Sequence, residues 1–426
     1  MTPLRLVVEP QEPLIDTRLS IRVVGAPVGA RVMLRATLRD AFGRDWSARA
    51  SFVADDGGCV DLSEQPPLGG DYAGVDAMGL LRAMQPDAAG PAGPPTPQRE
   101  LEPLSTTVTA SIDGESAASI TVERLAMARG VRRVPVRERG LVGTLFEPPN
   151  APAPGVIVLG GSGGGLSETR AALLASHGLT TLALAYFNVD GLPPDLVEIP
   201  LEYFSTAIDW LLDQPAVRGT RLAVLGQSRG GELALLLGAT FARIGAVVAY
   251  VPSGVVHAAI AREAGARTRA SWTFHGRALP FVPRDEAIPE AFAEPVPLTP
   301  MYRAAIADEG AVERATIPVE RIDGPVLLLS GDDDQMWPST ALAEIAVERL
   351  RMSGFRHPLT HIHYPNAGHS LTTPYLPSGP SASFHPVRRR VMAYGGTRQG
   401  NAVAGEDAWW RSIDLLRSDW WDRPEP

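Results

Sequence analysis

Two serines lie at the centre of the pattern G-x-S-x-G, in Gly226-Gln-Ser228-Arg-Gly230 and in Gly160-Gly-Ser162-Gly-Gly164. Such a spacing suits a nucleophile held on a sharp turn, because small residues two positions to either side let the chain reverse around the hydroxyl. The pattern alone is weak. Glycine supplies 42 of 426 residues, so chance produces it roughly once in every few chains of this length. The residues after each serine separate the two. Ser228 leads into Glu232-Leu-Ala-Leu-Leu-Leu, a helical run, so the serine would sit between a strand and a helix N-terminus. Ser162 leads into three glycines, which hold no side chain rigidly but do present backbone N–H groups to an oxyanion. Ser228 is therefore the expected nucleophile and Ser162 its rival. The alternative for Ser228 is an ordinary turn serine.

A serine of this kind needs a base and an acid, which come after it in the chain order Ser, acid, His if this is an α/β-hydrolase. Eight histidines are present. His361 and His363 alternate with an apolar residue and read as strand-face residues. His369 comes after Pro365-Asn-Ala-Gly368, on a glycine-containing loop past that strand, and is the expected base. His257, His275, His357 and His385 lie in loops or in the wrong places, and His177 ends an early helix. For the acid, Gly331-Asp-Asp-Asp334 offers three adjacent carboxylates. The spacing G-x-x-D selects Asp334, with Asp333 as the runner-up. Three such charges repel one another, so at least two are expected to face solvent or partners. The expected oxyanion donors are backbone N–H groups at Arg229, Ser162 and Gly163.

The elements that must position these residues fall into two groups. Up to about residue 125, short β-branched or alternating runs recur at Leu4–Val8, Leu19–Val24, Val32–Leu38, Ser51–Val53, Thr106–Ile112 and Ser119–Val122. Turn residues separate them, which predicts a small β-sandwich. A Pro-, Gly- and Ala-dense stretch, Gln85–Pro103, is expected to be a long loop inside it. Beyond Arg132, strand-like runs alternate with helical ones. Strands are expected at residues 155–159, 180–186, 222–225, 246–251, 325–330 and 359–364. Helices are expected at 167–175, 201–212, 232–241, 340–352 and about 407–416. This alternation gives a parallel sheet covered on both faces. The boundary falls between Val122 and Val134, with domains of 1–128 and 129–426. The Pro- and Phe-rich segment near 271–314 breaks the alternation and is expected to be a lid-like insertion.

Composition narrows the function classes. The net charge is −9, which argues against general nucleic-acid binding, since phosphate neutralisation needs a basic face. Cys59 is the lone cysteine, so no intrachain disulfide or cysteine-only metal cluster forms, and a reducing, cytoplasmic setting is expected. No apolar run reaches 18 residues, so no membrane span is expected. The N-terminus has no signal-peptide pattern and the C-terminus no peroxisomal address.

Four segments together resemble the acyl-CoA thioesterase and bile acid-CoA:amino acid N-acyltransferase family. They are Pro67-Leu-Gly-Gly-Asp-Tyr-Ala-Gly-Val-Asp-Ala-Met-Gly-Leu80; the glycine loop with Leu166-Ser-Glu-Thr-Arg170 and Ala183-Leu-Ala-Tyr186; Leu201-Glu-Tyr-Phe204 leading to the Ser228 turn; and Gly331–Ser339 with Tyr364-Pro-Asn-Ala-Gly-His369 and Tyr394-Gly-Gly396. The resemblance implies an N-terminal immunoglobulin-like β-sandwich joined to an α/β-hydrolase domain. It places the family's triad on Ser228, Asp334 and His369 and its glycine loop on Gly160–Gly165. One branch of the family uses cysteine as nucleophile and transfers acyl groups to amino acids. The serine here implies hydrolysis of an acyl-CoA thioester, with a serine-dependent acyltransferase acting on an amine or alcohol acceptor as the alternative. No cofactor is expected beyond the CoA carried by the substrate, and no metal. Arg229, where familiar members carry lysine, and Arg388-Arg-Arg390 are candidates to meet CoA phosphates; the alternative is a solvated charge run. The first domain carries no nucleophile on a turn, so it is assigned no chemistry.

Overall fold

The computed structural model describes residues 4–40, 43–87, 101–283, 293–371, 373–377 and 381–418. Its backbone divides into two compact units. One comprises Met1–Ala128, Thr372–Gly379 and Asn401–Glu406, the other Arg129–Leu371, Pro380–Gly400 and Asp407–Pro426.

The first unit is an antiparallel β-sandwich. Strands β1 (Arg5–Glu9), β2 (Ser20–Val24) and β5 (Cys59–Asp61) form one sheet. Strands β3 (Arg31–Arg39), β4 (Asp45–Val53), β6 (Leu104–Ile112) and β7 (Glu115–Arg124) form the other, in the order β4-β3-β6-β7. Gly69–Gly70 and Gln85–Pro86 pair along the outer edge of β4. In β3 and β4 every second side chain is buried. That is the period-2 pattern of strands with one face on a core and one toward solvent. Most of the expected loop at Gln85–Pro103 lies outside the described residues.

Two later segments complete this unit. Tyr375 is buried among the sandwich residues, and the buried Arg124 donates to the Tyr375 carbonyl. Arg82 is ion-paired to Glu406. A chain begun near Gly130 would keep Ser228, Asp334 and His369 but strip Tyr375 of its packing and Glu406 of its charge partner. Poor solubility or weakened acyl-CoA turnover is the expected result, read by size-exclusion chromatography and kinetics. A soluble, monomeric and fully active fragment would show the sandwich to be dispensable.

The second unit holds an eight-stranded sheet. Its strands are β8 (Arg132–Val136), β9 (Val142–Glu147), β10 (Ala153–Leu159), β11 (Thr180–Ala185), β12 (Val217–Gln227), β13 (Ile244–Tyr250), β14 (Val326–Gly331) and β15 (Leu359–Tyr364). The spatial order is β8-β9-β11-β10-β12-β13-β14-β15. Strand β9 runs antiparallel to both neighbours, and β10 to β15 are mutually parallel. Helices α1 (Glu168–Ser176), α2 (Leu201–Leu212), α3 (Arg229–Thr240) and α4 (Ser339–Met352) connect the parallel strands. Strands β10, β11, β13 and β14 are buried throughout, as near-continuous Val, Leu, Ile and Ala runs require when both faces are covered.

Three differences from the sequence reading have local causes. Strands β8 and β9 lie where the residue pattern predicts none. Arg132-Arg-Val-Pro-Val136 carries a proline and two arginines, which suit only the edge position it occupies. The final helix, α5, runs Arg398–Arg417, starting well before residue 407. Its first turns lack an apolar stripe, and the Thr397 side chain caps it by accepting from the Gly400 N–H at 3.0 Å. The segment near 271–314, of which 284–292 lie outside the described residues, does not begin as a lid. Trp272 is fully buried against Tyr186 and Phe204 in the core, and helices come later at Thr299–Ala305 and Glu309–Ala315.

Candidate active site

Ser228 occupies the turn between β12 and α3, with φ 58° and ψ −120°. A non-glycine residue held there is strained, and the surrounding packing must hold it. The flanking glycines are required by distance. A Cβ on Gly226 would come 1.9 Å from the Gly230 carbonyl oxygen, and one on Gly230 would come 2.3 Å from that of Gly160. The second contact also shows how closely α3 approaches the loop after β10. In that loop, a Cβ on Gly161 would stand 3.9 Å from Ser228 Oγ.

Ser228 Oγ lies 2.9 Å from His369 Nε2, and His369 Nδ1 lies 2.8 Å from Asp334 Oδ2. All three side chains are buried. Asp334 comes just after β14, and its Oδ1 accepts from the backbone N–H groups of Met336 at 2.9 Å and Trp337 at 3.2 Å. The carboxylate is thus fixed by three donors. His369 comes just after β15, and its own N–H donates to the Tyr394 carbonyl at 2.7 Å. The Trp337 and Tyr394 rings pack 6.0 and 5.7 Å from the imidazole. The arrangement can deprotonate a serine hydroxyl and stabilise the imidazolium that results.

The other two aspartates are engaged elsewhere. Asp332 meets His363 at 3.0 Å and Thr340 at 2.8 Å, and Asp333 accepts from the Gly396 N–H at 2.8 Å. The remaining histidines divide similarly. His361 bridges Ser330 and Glu344, where burial lowers its pKa. His357 pairs with Asp323, and His275 is exposed beside Glu202. His257 is buried against Ser253, Tyr302 and Trp337, and His177 packs on Trp409 and Trp410.

The glycine loop is held by hydrogen bonds to its carbonyl oxygens. Tyr186 Oη donates to Gly160 O and Asn188 Nδ2 to Gly163 O, both at 2.7 Å. Among the described residues, the backbone N–H groups of Ser162, Gly163 and Arg229 meet no acceptor. At Arg229 the cause is its position, because the first N–H groups of a helix precede its internal hydrogen bonds.

Two readings of arginine are corrected. The Arg229 side chain is almost fully buried. It pairs with Glu232 at 2.7 Å, donates to His257 O and Ser271 Oγ, and stacks over Trp272. Glu232 in turn accepts from Trp272 Nε1 at 2.8 Å. The guanidinium braces the turn from beneath and is out of reach of a CoA phosphate. Arg388 to Arg390 do not form one solvated run either. Arg388 is hydrogen-bonded to Tyr302 and Arg390 is paired with Glu294, leaving Arg389 exposed.

His385, which its place in the sequence excludes, reaches the site. It ends β16 (Ala382–His385), which pairs with β17 (Arg390–Ala393), the strand leading to Tyr394. Its Nε2 lies 2.9 Å from Ser162 Oγ, and its Nδ1 accepts from the Arg388 N–H at 3.1 Å. Burial, reinforced by Arg388 and His369, pushes its pKa down to about 3, so the ring is neutral. With Nδ1 accepting, the proton sits on Nε2. Ser162 and His385 therefore form a second Ser–His contact, but one in which the histidine donates and cannot act as a base. The two residues are 223 apart in the chain, and no local motif signals the pairing.

A mainly parallel sheet with this crossover order, and a serine on a strained strand-to-helix turn, defines an α/β-hydrolase. Protein-family comparison narrows the class. Residues 199–419 match the description BAAT / Acyl-CoA thioester hydrolase C terminal, and residues 16–138 match Acyl-CoA thioester hydrolase/BAAT N-terminal region. Human acyl-coenzyme A thioesterase 1 is 35% identical over 410 residues, covering 92% of this chain and 91% of that protein. The mouse peroxisomal succinyl-coenzyme A thioesterase is 36% identical over 405 residues, covering 92% and 91%. Mouse acyl-coenzyme A thioesterase 2, mitochondrial, is 36% identical over 416 residues, covering 92% and 84%. The chain belongs to the acyl-CoA thioester hydrolase/BAAT family and is an acyl-CoA thioesterase-family hydrolase. Among the described residues, no helix is long and apolar enough to cross a membrane.

Proposed function

We propose that the chain hydrolyses acyl-CoA thioesters to free acid and CoA through an acyl-enzyme on Ser228. The observation that carries this reading is the unbroken hydrogen-bonded line from Ser228 Oγ through His369 to the Asp334 carboxylate. His369 Nε2 takes the Ser228 proton as Oγ attacks the thioester carbon. The carbonyl electrons move onto oxygen, where the N–H groups of Arg229, Ser162 and Gly163 are the donors proposed to receive them. The carbonyl re-forms as the C–S bond breaks, and CoA leaves as the thiol with the proton returned by His369. Water then enters. His369 takes its proton, the hydroxide adds to the acyl carbon, and Ser228 leaves with that proton as the acid is released. Asp334 holds Nδ1 protonated throughout, so that Nε2 is free to act as base.

The test is a CoA-release assay over acyl-CoAs of increasing chain length, with and without amine acceptors. Free acid equal to the CoA released, and unchanged by acceptor, is expected. An amide formed in place of the acid would establish transfer instead.

A further inference from the structure

We infer that Ser162 supplies a side-chain oxyanion donor in addition to backbone N–H groups, and that His385 is the residue that aims its hydroxyl. This rests on Ser228 as the nucleophile. Ser162 is mostly buried, at 8% exposed, and its Oγ receives the His385 Nε2–H at 2.9 Å. That bond occupies the oxygen as acceptor and leaves the hydroxyl proton to be donated elsewhere. Among the described residues nothing accepts it. Ser162 adjoins Gly161, which lies against Ser228, and His385 lies near enough to His369 to feel its charge. An unspent donor is thus held in the loop that packs against Ser228, and on this inference it faces the position where the thioester oxygen becomes negative. A buried donor without an acceptor is costly in the resting protein, and the cost is recovered when the oxyanion forms.

His385 suits this role better than a charged residue would. Its tautomer is fixed by the Arg388 N–H, so it always donates to Ser162 and never competes for the hydroxyl proton. It touches no reacting atom on this reading and is a positioning residue.

The test compares Ser162→Ala, Ser162→Thr and Ser162→Val, with His385→Leu, His385→Gln and the Ser162→Ala/His385→Leu double variant. Steady-state kinetics, thermal melting and two inhibitors are read. One inhibitor is an acyl-CoA analogue bearing a trifluoromethyl ketone, which adds Ser228 to give a tetrahedral alkoxide. The other is an unreactive thioether analogue. Ser162→Ala and Ser162→Val are expected to lower kcat on the order of 100-fold while KM changes little. Ser162→Thr, which keeps the hydroxyl, recovers most of the loss. Affinity for the ketone falls in parallel with kcat, and affinity for the thioether does not. His385→Leu behaves like Ser162→Ala, His385→Gln restores part of the loss through its own N–H, and the double variant is no worse than the poorer single one.

Near-native kcat in Ser162→Ala overturns the inference. So does an equal loss of both inhibitors, which is the mark of a loop that has merely shifted. If Ser162→Val does not fold, Ser162→Ala against Ser162→Thr makes the same comparison. Additive losses in the double variant remove His385 from the role. Ser228→Ala separates the levels: its retaining turnover would overturn the nucleophile assignment, whereas an essential Ser228 beside an indifferent Ser162 overturns only this inference.

Discussion

Replacing Ser228 by alanine is expected to lower kcat on an acyl-CoA by about six orders of magnitude, leaving only what oxyanion donors and substrate binding provide, roughly 10³–10⁴ over water. The fold should survive, because alanine fits the turn that serine already occupies at φ 58° without adding atoms. The contrast with Ser162 is what gives the experiment its force. Both serines lie between glycines, both are buried, and both touch a histidine. Only Ser228 meets an imidazole whose far nitrogen faces a carboxylate. Ser162→Ala is expected to retain activity well above that of Ser228→Ala. A fluorophosphonate should attach to Ser228, and peptide mapping that found the label on Ser162 would reverse the assignment.

Asp334→Asn is expected to fold normally and to lower kcat about 10⁴-fold. The structure indicates why so small a change has so large an effect. Oδ1 is held by the N–H groups of Met336 and Trp337, so an asparagine there would turn its carbonyl oxygen toward them. Its NH₂ would then face His369 Nδ1. That nitrogen must become the acceptor, the proton moves to Nε2, and the base is lost. Asp332→Asn and Asp333→Asn should be mild. Their carboxylates serve His363 and Thr340 in one case and the Gly396 N–H in the other. Kinetics of the three variants, with melting curves to check folding, provide the comparison. Equal losses across the three would mean that position along the chain, and not orientation, had been mistaken for function.

Those aspartates also mark how far residue order can be read. G-x-x-D spacing singles out Asp334 but leaves Asp333 as a rival, because spacing does not say which way a carboxylate points. The three residues joined in the line from Ser228 are all legible, since each comes just after a strand, apolar before Ser228 and Asp334 and alternating before His369, and sits at a turn. His385 is not, because its significance comes from a hairpin packed beside a loop 223 residues earlier. Arg229 misleads for a related reason. Its charge is plain, but its burial depends on Glu232, Ser271 and Trp272 closing around it. In the fold, continuous Val and Leu runs declare the central strands, whereas the edge strand β8, with its proline and arginines, and the polar first turns of α5 carry no periodic signal.

The division of the sandwich among three stretches of chain has a consequence for its biosynthesis. Arg124, near the end of the first stretch, and Tyr375, which that stretch buries, are separated by 251 residues. At roughly 5–20 residues per second, a ribosome takes on the order of 10–50 s to cover that distance. For that interval the emerging sandwich has its strands, and the Ile15 carbonyl that accepts from Arg124, but lacks the Tyr375 ring of its core and the Tyr375 carbonyl to which the same buried guanidinium donates. It must wait, with apolar surface uncovered, for a segment that is made only after the whole eight-stranded hydrolase sheet, whose last strand ends at Tyr364. The unit begun first therefore stays incomplete until Glu406, when only the hydrolase unit's own last stretch, Asp407–Pro426, remains to be made, and throughout that wait the sandwich strands are a surface that a chaperone would have to protect.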